Sequence, residues 1–321
     1  MMMNERFGMR DYNAYSPEDI IAENLQELTE RADMLGEQEI GHLRELAAEI
    51  SLGDDITDLL SSLPDYCISP PAPLADVLTG NAELLSRSRG LLKARQCMIL
   101  CQALYEKLCD RENLLSALFP DAEELASHAI DRIVYQRNSY TNDAYLMFAS
   151  LLPDARAAYA HSFHAACEEV YNGHCEYCIL PIENAVEGEL VGFAKLIAQY
   201  GLKVAACCDI VAADASRQTR FALLRRNILP LFTTDLEKNG YFRFSIPADL
   251  AASVADVLNA ASFYGLQFIS MNTLPQGDEV LYNLTFAIRG GDLFPFLLYL
   301  ATVAPQYTPI GIYPHIKKKG L

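Results

Sequence analysis

The spacing of apolar residues changes twice along the chain. From Ser16 onward it is helical: Leu25, Leu28, Ala32 and Leu35 recur at three and four residues, and Leu43, Leu46 and Ala47 continue the stripe. Ser16-Pro17-Glu18-Asp19 supplies a start signal, with a capping serine, proline at the first helical position and acids that suit the helix dipole. The pattern predicts helices over 16–62. Leu63-Pro64-Asp65 and Ser69-Pro70-Pro71-Ala72-Pro73 interrupt it with a proline-rich loop. One long helix is expected over 81–110 and one or two shorter ones over 112–129. Residues 1–129 therefore read as an all-helical bundle.

From Ile133 the period alternates. Ile133-Val134-Tyr135 predicts a strand, 142–150 a helix, and Phe163 to Tyr171 another helix. Tyr177 to Ile182 predicts a strand, 190–200 a helix and 202–207 a strand. Such alternation indicates an α/β lobe over 130–238 with a largely parallel sheet. In residues 239–321, strands are expected at 241–246, 266–274, 279–288 and 308–313, with helices at 248–264 and 291–304. Leu250, Val254, Leu258 and Ala261 form a helical stripe there, and Phe268, Tyr282, Leu284 and Phe286 alternate as strand positions. The expected fold class is α/β together with α+β, the last part having the order βαββαβ.

Composition narrows the function. The formal net charge is −17, and residues 1–90 hold 18 acids against six Arg and no Lys. Such a surface repels phosphate backbones and argues against nucleic acid as a partner. No apolar run approaches the ~20 residues of a membrane helix, and no basic-then-apolar leader opens the chain. Nine scattered cysteines, two of them adjacent at Cys207-Cys208, read as reduced thiols in a cytoplasm. His161, His164, Cys167, His174, Cys175 and Cys178 lie close in sequence. Helix and strand positions among them favour packing over a metal site, so no metal is expected.

One run carries more chemistry than any other. Cys178-Ile179-Leu180-Pro181-Ile182-Glu183-Asn184-Ala185-Val186-Glu187-Gly188 is an apolar strand that ends in a carboxylate and an amide. In a parallel sheet, ligands bind outside the carboxyl ends of strands. This run resembles the Pro-Ile-Glu-Asn signature of prephenate dehydratases, lyases on the route to phenylalanine. Gln218-Thr219-Arg220-Phe221-Ala222 resembles the Thr-Arg-Phe signature of the same family. Residues from about 240 to 315 look like an ACT domain, the regulatory module that usually follows, and Pro309-Ile310-Gly311-Ile312-Tyr313-Pro314 is similar to its closing strand. The resemblance covers residues from about 130 to 316.

The resemblance implies elimination of water and CO2 from prephenate, without metal or redox cofactor. It makes Thr219 the hydroxyl beside the leaving group, Arg220 a carboxylate ligand, Phe221 a packing residue, and Glu183 and Asn184 residues that orient the cleft. Arg137, Ser139 and Thr141 occupy the place of the loop that receives a substrate anion. Asp249, Leu250, Asn272 and Thr273 occupy the phenylalanine-binding places of the ACT module. The chain departs from the family at three points. The loop Tyr135-Gln136-Arg137-Asn138-Ser139-Tyr140-Thr141 has no glycine. The stretch 185–218 holds one helix and one strand in place of a second lobe. The ACT ligand motifs are replaced by Ala248-Asp249-Leu250 and Asn272-Thr273-Leu274-Pro275. The expectation is a dehydratase-related protein without dehydratase activity, binding a small carboxylate such as prephenate or an aromatic amino acid, or a protein partner. It is expected to be a cytoplasmic homodimer. An active dehydratase with a rebuilt cleft and a purely structural protein are the alternatives.

Overall fold

The computed structural model describes residues 36–38, 40–41, 44–45, 94–106, 115, 118–119, 132–211, 218–231, 239–249, 254–276 and 279–317. Residues 1–50 and 51–321 form two compact units. In the first unit, all the described positions are helical. Most of the helices expected over 16–62 and 112–129 lie outside the described residues. The helix expected over 81–110 is helical where it is described, over 94–106.

In the second unit, the described strands form one ten-stranded mixed sheet. Its first half runs β1 (Arg132–Gln136), α1 (Ser139–Ala149), β2 (Arg156–Ala160), α2 (Phe163–Tyr171), β3 (Tyr177–Asn184), β4 (Gly188–Glu189), α3 (Val191–Gln199), β5 (Lys203–Val211) and β6 (Gln218–Arg225). Its second half runs β7 (Gly240–Pro247), α4 (Val254–Phe263), β8 (Gln267–Gln276), β9 (Glu279–Ala287), α5 (Leu293–Val303) and β10 (Thr308–Ile316). The strand order is β2-β1-β3-β6-β5-β10-β7-β9-β8, with β4 paired to β3. The second half has the expected βαββαβ order of elements. Its sheet joins that of the first half through β10, which pairs with β5 in parallel and with β7 antiparallel.

The expectation of a largely parallel sheet is corrected. Only β2, β1 and β3 run as parallel neighbours at one end, and β5 beside β10 in the middle. Strand β6 lies between β3 and β5 and is antiparallel to both. The cause is the short 212–217 connection, because a parallel return needs a crossover of about a dozen residues or more. Strand β2 was not expected. Its sequence Arg-Ala-Ala-Tyr-Ala has few β-branched or aromatic residues, and it is an edge strand, where tertiary pairing overrides weak propensity.

Alternation along the strands sorts the core into two layers. Phe221, Leu223, Ile133 and Ile179 pack with Ala144 and Phe148 of α1. Ala222, Leu224, Leu180 and Ile182 pack with Ala166 and Val170 of α2 and Ile197 of α3. In the second half, Phe242, Phe244 and Phe286 are fully buried and form a ring cluster with Phe296 of α5. The helical segment 94–106 closes this cluster. Leu100 and Leu104 are buried, Tyr264 Oη donates to the Met98 carbonyl at 2.7 Å, and Tyr105 stacks on Phe294.

The sheet curls strongly. One small cleft is lined by Glu183 of β3 and by Ile269 and Asn272 of β8. These strands are six places apart in the order, or about 29 Å across a flat sheet at ~4.8 Å per step. Twist and five register shifts, in β3, β5, β8 and twice in β10, bring them together. Gly311 bounds both shifts in β10. A Cβ there would meet the Val204 carbonyl oxygen at 2.6 Å, so only glycine allows β10 to approach β5 this closely.

Candidate functional site

The residues singled out in the sequence divide between the two faces of the sheet. On β6, period-two alternation puts Thr219 and Phe221 on the α1 side and Arg220 on the side of α2 and α3. Phe221 is buried in the α1 layer. A hydroxyl at 219 and a guanidinium at 220 therefore address opposite faces.

Arg220 is the centre of an ionic cluster. Its Nη1 donates to Glu183 Oε2 at 2.8 Å, its Nε to Asp209 Oδ1 at 2.8 Å, and its Nη2 to Asp209 Oδ2 at 3.3 Å. His315 Nε2 stands 3.2 Å from Asp209 Oδ2. Two register shifts create this arrangement. An extra residue in β3 between Pro181 and Glu183 sets Glu183 opposite Arg220 instead of Thr219. An extra residue in β5 between Val204 and Ala206 sets Asp209 opposite Arg220 from the other flank. Bulges re-aim side chains in this way.

The electrostatics follow from the geometry. Burial pulls the Asp209 carboxyl upward. The His315 ring nitrogen at 3.2 Å and the Arg220 guanidinium outweigh burial and hold it well below the usual carboxylate range. Burial likewise pulls Arg220 down, and Asp209 and Glu183 more than reverse it. At neutral pH the pair is fully ionised, and Asp209 has no proton to give to a departing hydroxide. A second pair, Arg243 with Glu189, stands on the same cleft wall and is almost buried. The cleft thus sets two guanidinium groups beside two carboxylates, Glu183 and Glu189, with Asp209 holding Arg220 from outside the lining.

Asn184 and Thr141 serve the local fold. Asn184 Oδ1 accepts from Val186 N at 2.9 Å and Glu187 N at 2.6 Å, which shapes the turn into β4, and Gly188 completes that turn at φ 72°. Thr141 is fully buried. Its Oγ1 accepts from Asn138 N and donates to the Gln136 carbonyl at 2.6 Å, while Asn138 Oδ1 caps Thr141 N. This is a reciprocal helix cap that takes the place of a glycine loop. Arg137 lies over the Tyr159 ring at 5.3 Å, and Ser139 is exposed at the first turn of α1. Neither lines the cleft around Arg220.

In the second half, Asp249 is exposed after β7, and Leu250 lies outside the described residues. Asn272 and Thr273 sit side by side on β8, and Asn272 reaches the cleft of Glu183 and Arg220. Cys167, Cys175 and Cys178 are buried, and burial raises the Cys175 and Cys178 thiols. His164 and His174 instead face solvent, beside Glu168 and Glu169. No helix among the described residues is long and apolar enough to cross a membrane.

Sequence reasoning missed Asp209, His315, Arg243 and Glu189. A signal for Asp209 was present. It is a lone charge in the apolar run Val204-Ala205-Ala206-Cys207-Cys208-Asp209-Ile210-Val211, and a charge in a buried strand needs a partner. Arg243 alternates with Tyr241 and Ser245 on one face of an otherwise apolar strand, the same kind of signal.

Residues 135–211 match the family model described as prephenate dehydratase, a segment running from the end of β1 to the end of β5. No relative was found among curated proteins. Among solved structures, the chain is similar to a prephenate dehydratase from Streptococcus mutans, with 18% identity, 58% of this chain and 99% of that one covered, and a TM-score of 0.47. It is similar to a prephenate dehydratase from Arthrobacter aurescens in complex with L-Phe, with 14% identity, 59% and 92% covered, and a TM-score of 0.46. It is also similar to GqqA, described as a novel type of quorum quenching acylase, with 16% identity, 57% and 95% covered, and a TM-score of 0.43.

Proposed function

We infer that this chain, related at family level to the prephenate dehydratases, does not dehydrate prephenate and acts as a small-ligand-binding or regulatory protein of aromatic amino acid metabolism. One observation carries the reading: Arg220, the cation that would receive a substrate carboxylate, already holds two carboxylates of its own sheet. A dicarboxylate entering the cleft would meet two arginines whose charges are already matched by Glu183, Asp209 and Glu189 of the fold itself. Thr219 is on the other face of the sheet, and Asp209 has no proton to give. The elimination needs a donor for the leaving hydroxide and cations for the anion in one place, and this arrangement separates them. The βαββαβ half supports a regulatory or assembly role as an ACT-like module, and the residues at its phenylalanine places, Asp249 and Asn272, offer no cation.

The test is phenylpyruvate formation from prephenate by the purified full chain. The expected result is no turnover above the uncatalysed rate. A turnover number of about 1–10³ per second, the ordinary enzyme range, lost in Thr219→Ala, would refute the reading and establish an active dehydratase with a rebuilt cleft.

A further inference from the structure

A second cavity lies beyond the Arg243–Glu189 pair, between α3 and the curled sheet. Its volume is about 190 Å³, and its walls come from β3, β4, β5, α3 and the four strands of the second half. The lining is mostly aliphatic, with Ile182, Ile197, Val204, Leu274 and Leu281. Three features make it more than a packing defect. The Lys203 ammonium sits on its wall and donates to the Pro309 carbonyl at 2.7 Å, and burial lowers its basicity. An ammonium has three donors, and this bond uses one. Arg243 lines the same cavity. Its Nε is buried without a hydrogen-bond partner among the described residues, although its Nη2 is paired with Glu189. With Glu189 as the acid on the wall, Lys203 and Arg243 leave one positive charge uncompensated.

We propose that this cavity is a binding site for a small monocarboxylic acid with an apolar body, its carboxylate held by Lys203 and its body among the aliphatic side chains. Size supports the assignment, since an apolar cavity of about 150 Å³ accepts benzene. The space here takes a ring or branched chain together with a short acid arm. Charge selects against an amino acid. Its ammonium would stand beside Lys203 and Arg243, and the acid on the wall, Glu189, is already paired. Lys203 gains a counter-ion that replaces the water lost on burial, and the unused donors find an acceptor. The proposal shares with the reading above only the idea that this chain binds ligands. It concerns a different cavity and stands whether or not the Arg220 cleft turns over prephenate.

The experiment is calorimetry on the full chain with 3-phenylpropanoate and 4-methylpentanoate, against 3-phenylpropylamine and phenylalanine. The acids are expected to bind at micromolar to submillimolar concentration, and the amine and the amino acid at least about tenfold more weakly, the scale of one charge-assisted hydrogen bond. Lys203→Met should weaken the acids by about tenfold or more on the same scale. Ala194→Phe, which fills the cavity from α3, should abolish binding. Circular dichroism checks that each variant is folded, and if Ala194→Phe is not, Lys203→Met decides alone. Absence of acid binding, equal binding of the amine, or acid binding unchanged in Lys203→Met would each overturn the proposal. The prephenate assay reports separately on the Arg220 cleft.

Discussion

Replacing Arg220 by methionine should destabilise the fold, and the loss should depend on pH in a direction the ionic cluster fixes. The substitution keeps an apolar stem of similar length and removes the charge between Glu183 and Asp209. Removing one partner of a fully buried ion pair costs about 3–5 kcal/mol. Here the Arg220 side chain is 35% exposed, Glu183 47% and Asp209 21%, so solvent screens part of the interaction. The Glu183 contact is worth at most about 1 kcal/mol on that account. The Asp209 contact, bidentate and more deeply placed, brings the total to about 2 kcal/mol. For a unit of this size that is a fall in Tm of about 4–8 °C. The sign with pH follows from Asp209, whose folded pKa lies below its unfolded value of about 3.9. Its stabilisation is therefore fully present above about pH 4 and is lost as pH falls through the folded value. Urea denaturation of wild type and Arg220→Met from pH 7 to pH 3 measures this, and the gap should be widest at pH 7 and begin to narrow below about pH 4. Arg220→Met made on an Asp209→Asn background should cost at least about 1 kcal/mol less, since the unpaired charge is gone. A gap at pH 7 under about 0.5 kcal/mol, the size of an ordinary surface change, or one that Asp209→Asn leaves unaltered, would refute the reasoning.

Three further outcomes follow from the same structure. Thr141→Ala should lower stability by about 1–2 kcal/mol through loss of the reciprocal cap, seen as a shift in urea midpoint. Gly311→Ala should cost about 3 kcal/mol or more, at or beyond the usual range for overpacking, because the added carbon meets backbone, and a thermal melt reads it directly. The exposed apolar residues Phe268, Ile269 and Met271 of the edge strand β8 should pair two copies of the chain, so light scattering should give a dimer for wild type and a monomer for Met271→Lys.

Among the described residues most of the architecture was legible because most elements announce themselves by period. Helix α2 spans the predicted residues, and the four strands of the second half fall within a few residues of their expected places. The interior of the site was not legible, for a reason that lies in the bulges. Glu183 and Arg220 could be paired by motif, but Asp209 reaches Arg220 only because β5 holds one residue more than β6 between Val204 and Ala206. A shift by one residue turns a side chain to the opposite face, and nothing in an alternating apolar run marks where it occurs. Strand β6 lying between β3 and β5 was equally hidden, since spacing fixes that a strand returns but not which gap it fills. Thr141 and Asn184 illustrate the opposite case. Their residue types suit both ligand binding and local capping, and only the observed hydrogen bonds show which groups they satisfy.

The cost of freeing Arg220 explains why a ligand is better sought elsewhere in this chain. Both acids that hold it belong to neighbouring strands, which keep them beside it, and Asp209, 21% exposed, has little solvent to turn into. A carboxylate arriving in the cleft must displace one of them and leave it beside a second negative charge. If the Asp209 contact contributes most of about 2 kcal/mol, displacement alone weakens binding by roughly tenfold to thirtyfold, before the repulsion of the displaced acid is counted. Lys203 carries no such handicap. Its one observed hydrogen bond is to a carbonyl, which a carboxylate can join without displacing anything charged. The same curl of the sheet therefore has two opposite effects. It brings acids onto the arginine of the recognised motif and neutralises it, and it encloses a lysine and an arginine against aliphatic walls with a charge still to be met.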